Sequence, residues 1–223
     1  MGIRNLTFSI NEFYHVYNRG TEKRLLFLDI SDYERFVNLL WVSNSKTSIH
    51  LSNYQGKSLL DIPRGDETLV DIGAWCVMPN HFHLLLKEKV AGGLSLFMKK
   101  LQTGYSMYFN KKYERNGSLF QGKFRAKHLN SDNYLKHQYA YIHLNPIGII
   151  DSDWKNKKVN NLNKTKDFLI NYKYSSLKDY LNENRPENKI LNTFAFPEYF
   201  NTSVEFEKMI NDWMIPEFIK ESP

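Results

Sequence analysis

Residues 78–86 of this chain read Met78-Pro79-Asn80-His81-Phe82-His83-Leu84-Leu85-Leu86. A Pro-Asn turn followed by an apolar run predicts a β-strand over residues 82–87. Because successive side chains of a strand point to opposite faces, His81 and His83 share one face and Phe82 lies on the other. Two imidazoles side by side on a strand form half of a divalent-metal site, although a hydrogen-bonded histidine beside the core gives the same pattern.

The sequence around this strand predicts an α+β fold. The predicted strands are rich in β-branched and aromatic residues and cover residues 13–20, 70–78, 82–87 and 119–129. The predicted helices have apolar positions three or four residues apart and cover a segment that begins at Ser31 and residues 93–112, 131–145, 174–181 and 204–213. Glu34 completes a capping box with Ser31. Residues 44–69 are predicted to be a loop or a ragged hairpin, and residues 151–171 a surface loop. This order of elements predicts one antiparallel sheet with helices on one face.

Length and composition favour a single soluble domain. The 223 residues, 42% of them hydrophobic, suffice for one packed core. Cys76 is the only cysteine, which excludes an intrachain disulfide and a Cys-rich zinc module. The sequence contains no signal-like segment and no apolar run as long as a membrane span. We therefore expect a cytoplasmic protein that does not bind membranes.

Basic residues concentrate in the window of residues 99–127. Eight basic residues and one acidic residue give this window a charge of +7, while the rest of the chain sums to −1. One basic segment of this kind indicates a polyanion-binding surface, and a solvated basic helix face is the alternative. The eight residues are Lys99, Lys100, Lys111, Lys112, Arg115, Lys123, Arg125 and Lys127.

The helix predicted over residues 131–145 carries a polar stripe. His137, Tyr141 and Asn145 are four residues apart and therefore share one helix face. A carboxamide oxygen is a hard ligand suited to Mg²⁺ or Mn²⁺, and a deprotonated phenol is a nucleophile. If this helix crosses the strand that bears the two histidines, the histidines and Asn145 can hold one cation with Tyr141 above it. For the helix taken alone, amphipathic packing is the simpler explanation of Tyr141.

The chain carries six sequence motifs, one of which is His81-Phe82-His83 within residues 79–86. The other motifs are Tyr14-His15-Val16-Tyr17-Asn18-Arg19-Gly20, Asp32-Tyr33-Glu34-Arg35-Phe36, Tyr108-Phe109-Asn110 with Gly117-Ser118-Leu119-Phe120-Gln121-Gly122-Lys123-Phe124, Tyr141-Ile142-His143-Leu144-Asn145-Pro146, and Tyr174-Ser175-Ser176-Leu177-Lys178-Asp179-Tyr180. Together and in this order they resemble the HUH single-tyrosine transposases, a family named after its His–hydrophobe–His motif, and within them the REP-associated tyrosine transposase branch. The resemblance runs from about residue 13 to residue 181.

This resemblance implies a fold, a cofactor and a substrate. The fold is a ferredoxin-like (RRM-like) core, the cofactor is Mg²⁺ or Mn²⁺, and the substrate is single-stranded DNA folded into hairpins. His81 and His83 would hold the metal with help from Asn145. Tyr141 would be the nucleophile, because the family's tyrosine lies four residues before the Asn or Gln that assists the metal.

The resemblance also sets expectations for other parts of the chain. Residues 1–182 are predicted to form the transposase domain and residues 183–223 a C-terminal helical extension. Tyr139 and Tyr105 are weaker candidates for the nucleophile than Tyr141. Phe120 stands where the family commonly has Trp, and the loop at 44–69 is longer than the family pattern. DNA contacts are predicted for Arg19, Lys99, Lys100, Lys111, Lys112, Lys123, Arg125 and Lys127, with the two arginines as bidentate phosphate ligands.

The sequence thus predicts an enzyme that nicks and rejoins hairpin DNA. Tyr141 would form a 5′-phosphotyrosine and leave a free 3′-OH. A hairpin-binding protein without catalytic activity is the alternative, since a fold does not guarantee chemistry. A metal-dependent hydrolase that uses water is a third possibility. The expected partner is the DNA hairpin, and the protein is expected to work as a monomer or a homodimer.

Overall fold

Four strands form one antiparallel sheet. They are β1 (Phe13–Arg19), β2 (Val70–Met78), β3 (His81–Glu88) and β4 (Arg125–His128), in the spatial order β2-β3-β1-β4. The structure is a computed structural model that describes residues 6–47, 49, 54, 57–155, 159, 161–200, 202–212 and 214. Helix α1 (Ile30–Ser43) joins β1 to β2, and helix α2 (Gly93–Lys112) joins β3 to β4. This order of strands and helices is the ferredoxin-like arrangement that was predicted.

Helices α1 and α2 cover one face of the sheet. Phe82 and Leu84 of β3 point to this face and share a buried core with Phe36 of α1 and with Phe97 and Leu101 of α2. The alternation of β3 therefore sends Phe82 into the core and turns its two histidines to the opposite face.

The cap of α1 differs from the prediction. Asp29, in extended conformation, is the N-cap. Its side chain accepts a hydrogen bond from the backbone N–H of Asp32, and the Asp32 carboxylate accepts one from the backbone N–H of Asp29. Ser31 lies inside the first turn and donates its hydroxyl to Asp29 at 2.7 Å. The predicted box of Ser31 and Glu34 was therefore wrong, because an acidic pair two residues earlier has the same spacing.

The opposite face of the sheet is also covered, which corrects the prediction of helices on one face only. Helix α3 (Asp132–Leu144) packs against β2 and β3 on that face, where Ala74, Cys76 and Met78 share a second core with Ile142. The physical reason lies in β2, in which every residue is buried. A strand without polar alternation has both faces covered.

The rest of the chain after α3 builds on this second core. Its helices are α4 (Ile147–Ile150), α5 (Leu162–Asn171), α6 (Leu177–Tyr180) and α7 (Ser203–Asp212). Phe196, Phe206 and Ile210, which lie in the predicted C-terminal extension, are buried in the second core. Gly73 makes room for Phe196, because a Cβ on this glycine would lie 2.7 Å from the phenylalanine ring.

Two predicted boundaries were wrong. The predicted loop at 151–171 contains α5, which begins after Asn161 accepts the backbone N–H of Lys164 and which buries Thr165 and Leu169 one turn apart. The predicted strand over 119–129 is shortened to β4, because Gly122 has a positive φ of 67° that interrupts the extended chain. Trp213, the predicted end of the last helix, lies outside the described residues. None of the described helices combines the length and apolarity needed to cross a membrane.

A buried hydrogen-bond chain ties α3 to β2. Ser176 accepts the backbone N–H of Trp75 in β2 at 2.9 Å, and its hydroxyl lies 2.7 Å from Nε2 of His143 in α3. The other ring nitrogen of His143 lies 2.8 Å from the carbonyl of Tyr139. Burial lowers the pKa of His143 from 6.5 to about 3, so the ring is neutral, donates from Nδ1 to Tyr139 and accepts from Ser176.

We predict that a His143→Gln variant loses stability at neutral pH and that its deficit shrinks in acid. In the unfolded wild-type chain His143 takes up a proton below pH 6.5, whereas in the folded protein it stays neutral down to about pH 3. The free energy of unfolding therefore decreases as the pH is lowered through this range. Each pH unit costs up to about 1.4 kcal/mol in this range. The variant lacks this dependence. Urea unfolding of both proteins at pH 7.5, 6.0 and 5.0 measures the difference, and a constant difference would contradict the role of His143.

Candidate functional site

The sheet brings three strands together around the two histidines. His81 of β3 is paired with Arg19 of β1, and His83 is paired with Tyr17, which is in turn paired with Arg125 of β4. Directly paired residues of antiparallel strands point to the same face. All five side chains therefore lie on the face that α3 covers.

Each of the two histidines has a hydrogen-bond partner at Nδ1. His83 Nδ1 lies 2.8 Å from Nε2 of the buried His15, and His81 Nδ1 lies 2.7 Å from Oδ1 of Asn80. His81 must donate to the amide oxygen of Asn80, so its Nε2 carries a lone pair when the ring is neutral. The same holds for His83 when it donates to His15.

Burial keeps these imidazoles neutral. It lowers the pKa of His15 from 6.5 to about 3 and that of His81 to about 4, and nearby lysines act in the same direction. The pKa of His83 also lies well below its ordinary value, first because of burial and then because of its histidine neighbours. Neutral rings with a free lone pair are the form of histidine that ligates metals.

Helix α3 places Tyr141 over this cluster. The Tyr141 ring centroid lies 5.5 Å from that of His83 and 5.7 Å from that of His15, in edge-to-face geometry. His137, one turn earlier, stacks on Tyr141 with a centroid distance of 6.3 Å. Asn145, one turn later, donates to the carbonyl of Tyr141 at 2.7 Å and also hydrogen-bonds His81. The polar stripe predicted on this helix therefore faces the strand histidines.

A lysine beyond α3 reaches the same phenol. Lys155 Nζ donates to the Tyr141 hydroxyl at 2.9 Å and lies 4.4 Å from the centre of the Tyr141 ring. No pattern in the sequence predicts a role for this residue, because Lys155 stands in an Asn- and Lys-rich segment with no periodicity. Gln121, whose side chain accepts from Nε of Arg19, stands in one of the quoted motifs, but the motif gave no sign that this side chain enters the site.

These side chains line one cleft of about 310 Å³. The predicted residues Arg19, His81, His83, Arg125, Tyr141 and Asn145 all line it. Lys23 and Lys155 add two further cations, and the described residues that line the cleft include no carboxylate. A cleft of this charge attracts anions.

The cleft residues fit a divalent cation with an incomplete protein ligand set. Within the described residues, no group of three His, Cys, Asp or Glu side chains is placed to hold a metal. A site here would therefore combine Nε2 of His81 and Nε2 of His83 with the carboxamide oxygen of Asn145, which already contacts His81. Mg²⁺ and Mn²⁺ take six ligands in octahedral geometry, which leaves positions for water and phosphate oxygens.

The predicted DNA-binding residues do not form one surface. Arg19 and Arg125 line the cleft, and Lys127, on the same face of β4, contacts the Tyr134 hydroxyl at 3.4 Å. Lys123 is exposed in the segment before β4. The remaining four residues, Lys99, Lys100, Lys111 and Lys112, lie on α2, which covers the other face of the sheet.

Two of the lysines on α2 make bonds within the protein. Lys112 lies 2.7 Å from an oxygen of Asp29 and 2.8 Å from one of Asp32, and it holds α2 against the start of α1. Lys100 donates to the carbonyl of Thr47 at 2.9 Å. Lys99 and Lys111 are exposed. The cleft therefore draws its charge mainly from the strands and from the loops beside them.

Comparison with known proteins agrees with the motifs. A sequence model of the family described as "Transposase IS200 like" matches residues 37–145, just under half of the chain. The matched region begins in α1 and includes both histidines of the strand, Tyr141 and Asn145. The predicted resemblance to the single-tyrosine transposases is thereby confirmed. A sequence search of curated proteins finds no match.

The fold is also similar to a solved structure. Its title is "Structure of the REP associates tyrosine transposase bound to a REP hairpin". The two chains are 12% identical and superpose with a TM-score of 0.53, over 84% of this chain and 90% of the other. The predicted α+β transposase fold is therefore confirmed.

We predict that His15 supports metal binding through His83. A His15→Phe variant removes the acceptor that fixes the His83 tautomer, and loss of such a partner typically lowers metal affinity about 10- to 100-fold. The measurement is a Mn²⁺ titration of the protein without DNA, followed by electron paramagnetic resonance.

The matched control is His128→Phe. His128 lies on β4 and contacts Glu12 at 2.6 Å, and its strand partner Tyr14 points to the face that α1 and α2 cover. This variant is expected to bind Mn²⁺ as the wild type does. Equal affinities of the His15 variant and the wild type would show that the His15–His83 bond has no part in metal binding.

Proposed function

We propose that this chain, whose sequence matches the IS200-like transposases over residues 37–145, nicks and rejoins single-stranded DNA hairpins with the help of a divalent cation. One observation carries the proposal. The Tyr141 hydroxyl, two neutral strand imidazoles and the Asn145 amide converge in one cleft lined with cations. A nucleophile, a set of metal ligands and an anion site are the parts that phosphodiester transfer needs.

The nature of the substrate is supported by charge and by the structural neighbour. Four cations and no carboxylate among the described lining residues suit a phosphodiester backbone. The neighbour, of similar fold, is bound to a REP hairpin. We therefore propose a DNA hairpin with an unpaired segment as the partner of this chain, bound by a monomer or a homodimer.

Tyr141 is the proposed nucleophile. Its oxygen would attack the phosphorus, the P–O3′ bond would break, and the phenolic proton would end on the 3′ oxygen through solvent. The product is a 5′-phosphotyrosine with a free 3′-OH, which keeps a phosphodiester bond available for rejoining. The weaker candidates, Tyr139 and Tyr105, are buried at 3% and 0% exposure, and neither lines the cleft.

Other residues of the cleft would hold the cation and the phosphate. His81, His83 and Asn145 would hold Mg²⁺ or Mn²⁺, which polarises a phosphate oxygen and stabilises charge on the phosphorus in the transition state. Arg125 is exposed at the edge of the cleft and can bind phosphate oxygens through two hydrogen bonds. Arg19 is oriented by its bond to Gln121 and would act from the neighbouring strand.

We predict that Tyr141→Phe abolishes the covalent adduct and leaves hairpin binding within about threefold, because only the attacking oxygen is lost. The assay incubates labelled hairpin DNA with Mn²⁺ and separates the products on a denaturing gel, where an adduct is a retarded, protease-sensitive band. Tyr134→Phe on the same helix is the control and is expected to form the adduct.

Each result of this assay favours one function. An adduct in the wild type alone supports the proposal, and an undiminished adduct in the Tyr141 variant refutes the assignment of the nucleophile. Binding without cleavage in the wild type favours a non-catalytic hairpin-binding protein. Cleavage without an adduct favours hydrolysis by water.

We also predict that His81→Ala removes cleavage at every Mn²⁺ concentration tested, with a loss of at least about 100-fold, because one of three protein ligands is gone. A chelator should have the same effect on the wild type. Hairpin binding on a native gel is the control measurement and should persist in both cases. Cleavage by the wild type in excess chelator would contradict the metal dependence.

A further inference from the structure

We propose that Lys155 is the charged partner of the Tyr141 oxygen in both strand cleavage and rejoining. This inference rests on the proposed function, because it assigns a role within the same site. It adds a residue that lies beyond the region matched by the family, which ends at residue 145.

The position of Lys155 is the first reason. Its ammonium group donates to the phenol oxygen at 2.9 Å and lies 4.4 Å from the ring centre, so it contacts both the reacting atom and the ring that bears it. Because Lys155 is the donor, the O–H of Tyr141 is not used in this bond and its proton remains free to leave. The described lining residues of the cleft offer Lys155 no carboxylate.

The buried residue before Lys155 holds the lysine in this position. Trp154, the preceding residue, is 3% exposed and is buried in the second core. Its backbone N–H bonds the carbonyl of Asp151 at 3.3 Å, which closes the turn after α4. The Trp154 indole packs against Gly148 of α4. A Cβ on this glycine would lie 3.5 Å from Nε1 of the indole. A buried neighbour on a short turn gives the lysine a defined location beside the phenol.

The second reason is the negative charge that the Tyr141 oxygen would carry during the reaction. In the forward step the O–P bond forms while the phenol loses its proton, so negative charge develops on the Tyr141 oxygen. In rejoining, the 3′-OH attacks the phosphotyrosine, the O–P bond breaks, and the same oxygen leaves with negative charge. An ammonium group already bonded to that oxygen stabilises the charge in both directions.

The test replaces Lys155 by Met, which keeps the length and apolar stem but removes the charge. We expect adduct formation and rejoining each to slow about 10- to 100-fold, as befits the loss of a charged hydrogen bond. Hairpin affinity should change less than threefold. Lys155→Arg should retain part of the rate, since it restores a cation. Lys164→Met, an exposed lysine on α5, is the matched control for loss of one charge.

A chemical test isolates the charge from the shape of the side chain. Cys76 is the only cysteine and is buried, so a Lys155→Cys variant presents one accessible thiol. Alkylation with 2-bromoethylamine restores an ammonium at position 155, whereas iodoacetamide adds a neutral group. The aminoethylated protein is expected to regain at least tenfold in rate over the carbamidomethylated protein.

Four results would overturn the proposed role of Lys155 or the proposed function. Rates that match the wild type in Lys155→Met, or equal recovery with both alkylating reagents, would overturn the role of Lys155. A fall in hairpin affinity that accounts for the whole loss of rate would also overturn it, in favour of a phosphate contact. A wild type that forms no adduct at all would instead refute the proposed function, so the two failures are distinguishable.

Discussion

The site depends on the packing of α3 against the sheet face that bears the histidines. The phenol of Tyr141 and the imidazole of His83 are 58 residues apart in sequence, and only this packing brings them together. Ser176 restrains this packing, since it bonds the β2 backbone and His143 of α3 at the same time. Since the bonds are buried, breaking them would leave unpaired polar groups in the core, which is costly. The register of α3 on the sheet is therefore well defined.

Burial and charge act together in the cleft. The low dielectric around His15, His81 and His83 disfavours their protonation, and the nearby Lys155 disfavours it further. Neutral imidazoles can ligate a cation, and the fixed charges of arginine and lysine can bind an anion. In the proposed function, a divalent ion and a phosphodiester would each reduce the electrostatic cost of binding the other in this cleft. The two proposed ligands, of opposite charge, would then bind more tightly together than separately.

Much of the fold followed from periodicity in the sequence. The alternation of β3 correctly separated Phe82 from its two histidines, and the four-residue spacing of α3 correctly placed His137, Tyr141 and Asn145 on one face. The second covered face was missed, although the run without polar residues from Ile72 to Met78 in β2 was its signal. Helix α5 was missed because its two buried residues, Thr165 and Leu169, give a weak stripe among lysines and asparagines.

The limits of the site prediction have a physical cause. A motif identifies side chains held by one element, such as the strand histidines, whereas Lys155 reaches the site from another segment. Lys155 lies outside residues 37–145, which the family model matches, and its position depends on the burial of Trp154. His15 stands in a quoted motif, but only the strand pairing shows that it bonds His83. Groups of this kind set tautomer and charge through hydrogen bonds. Because many side chains can supply such bonds, no short spacing rule reveals them, and only the folded chain shows which ones do.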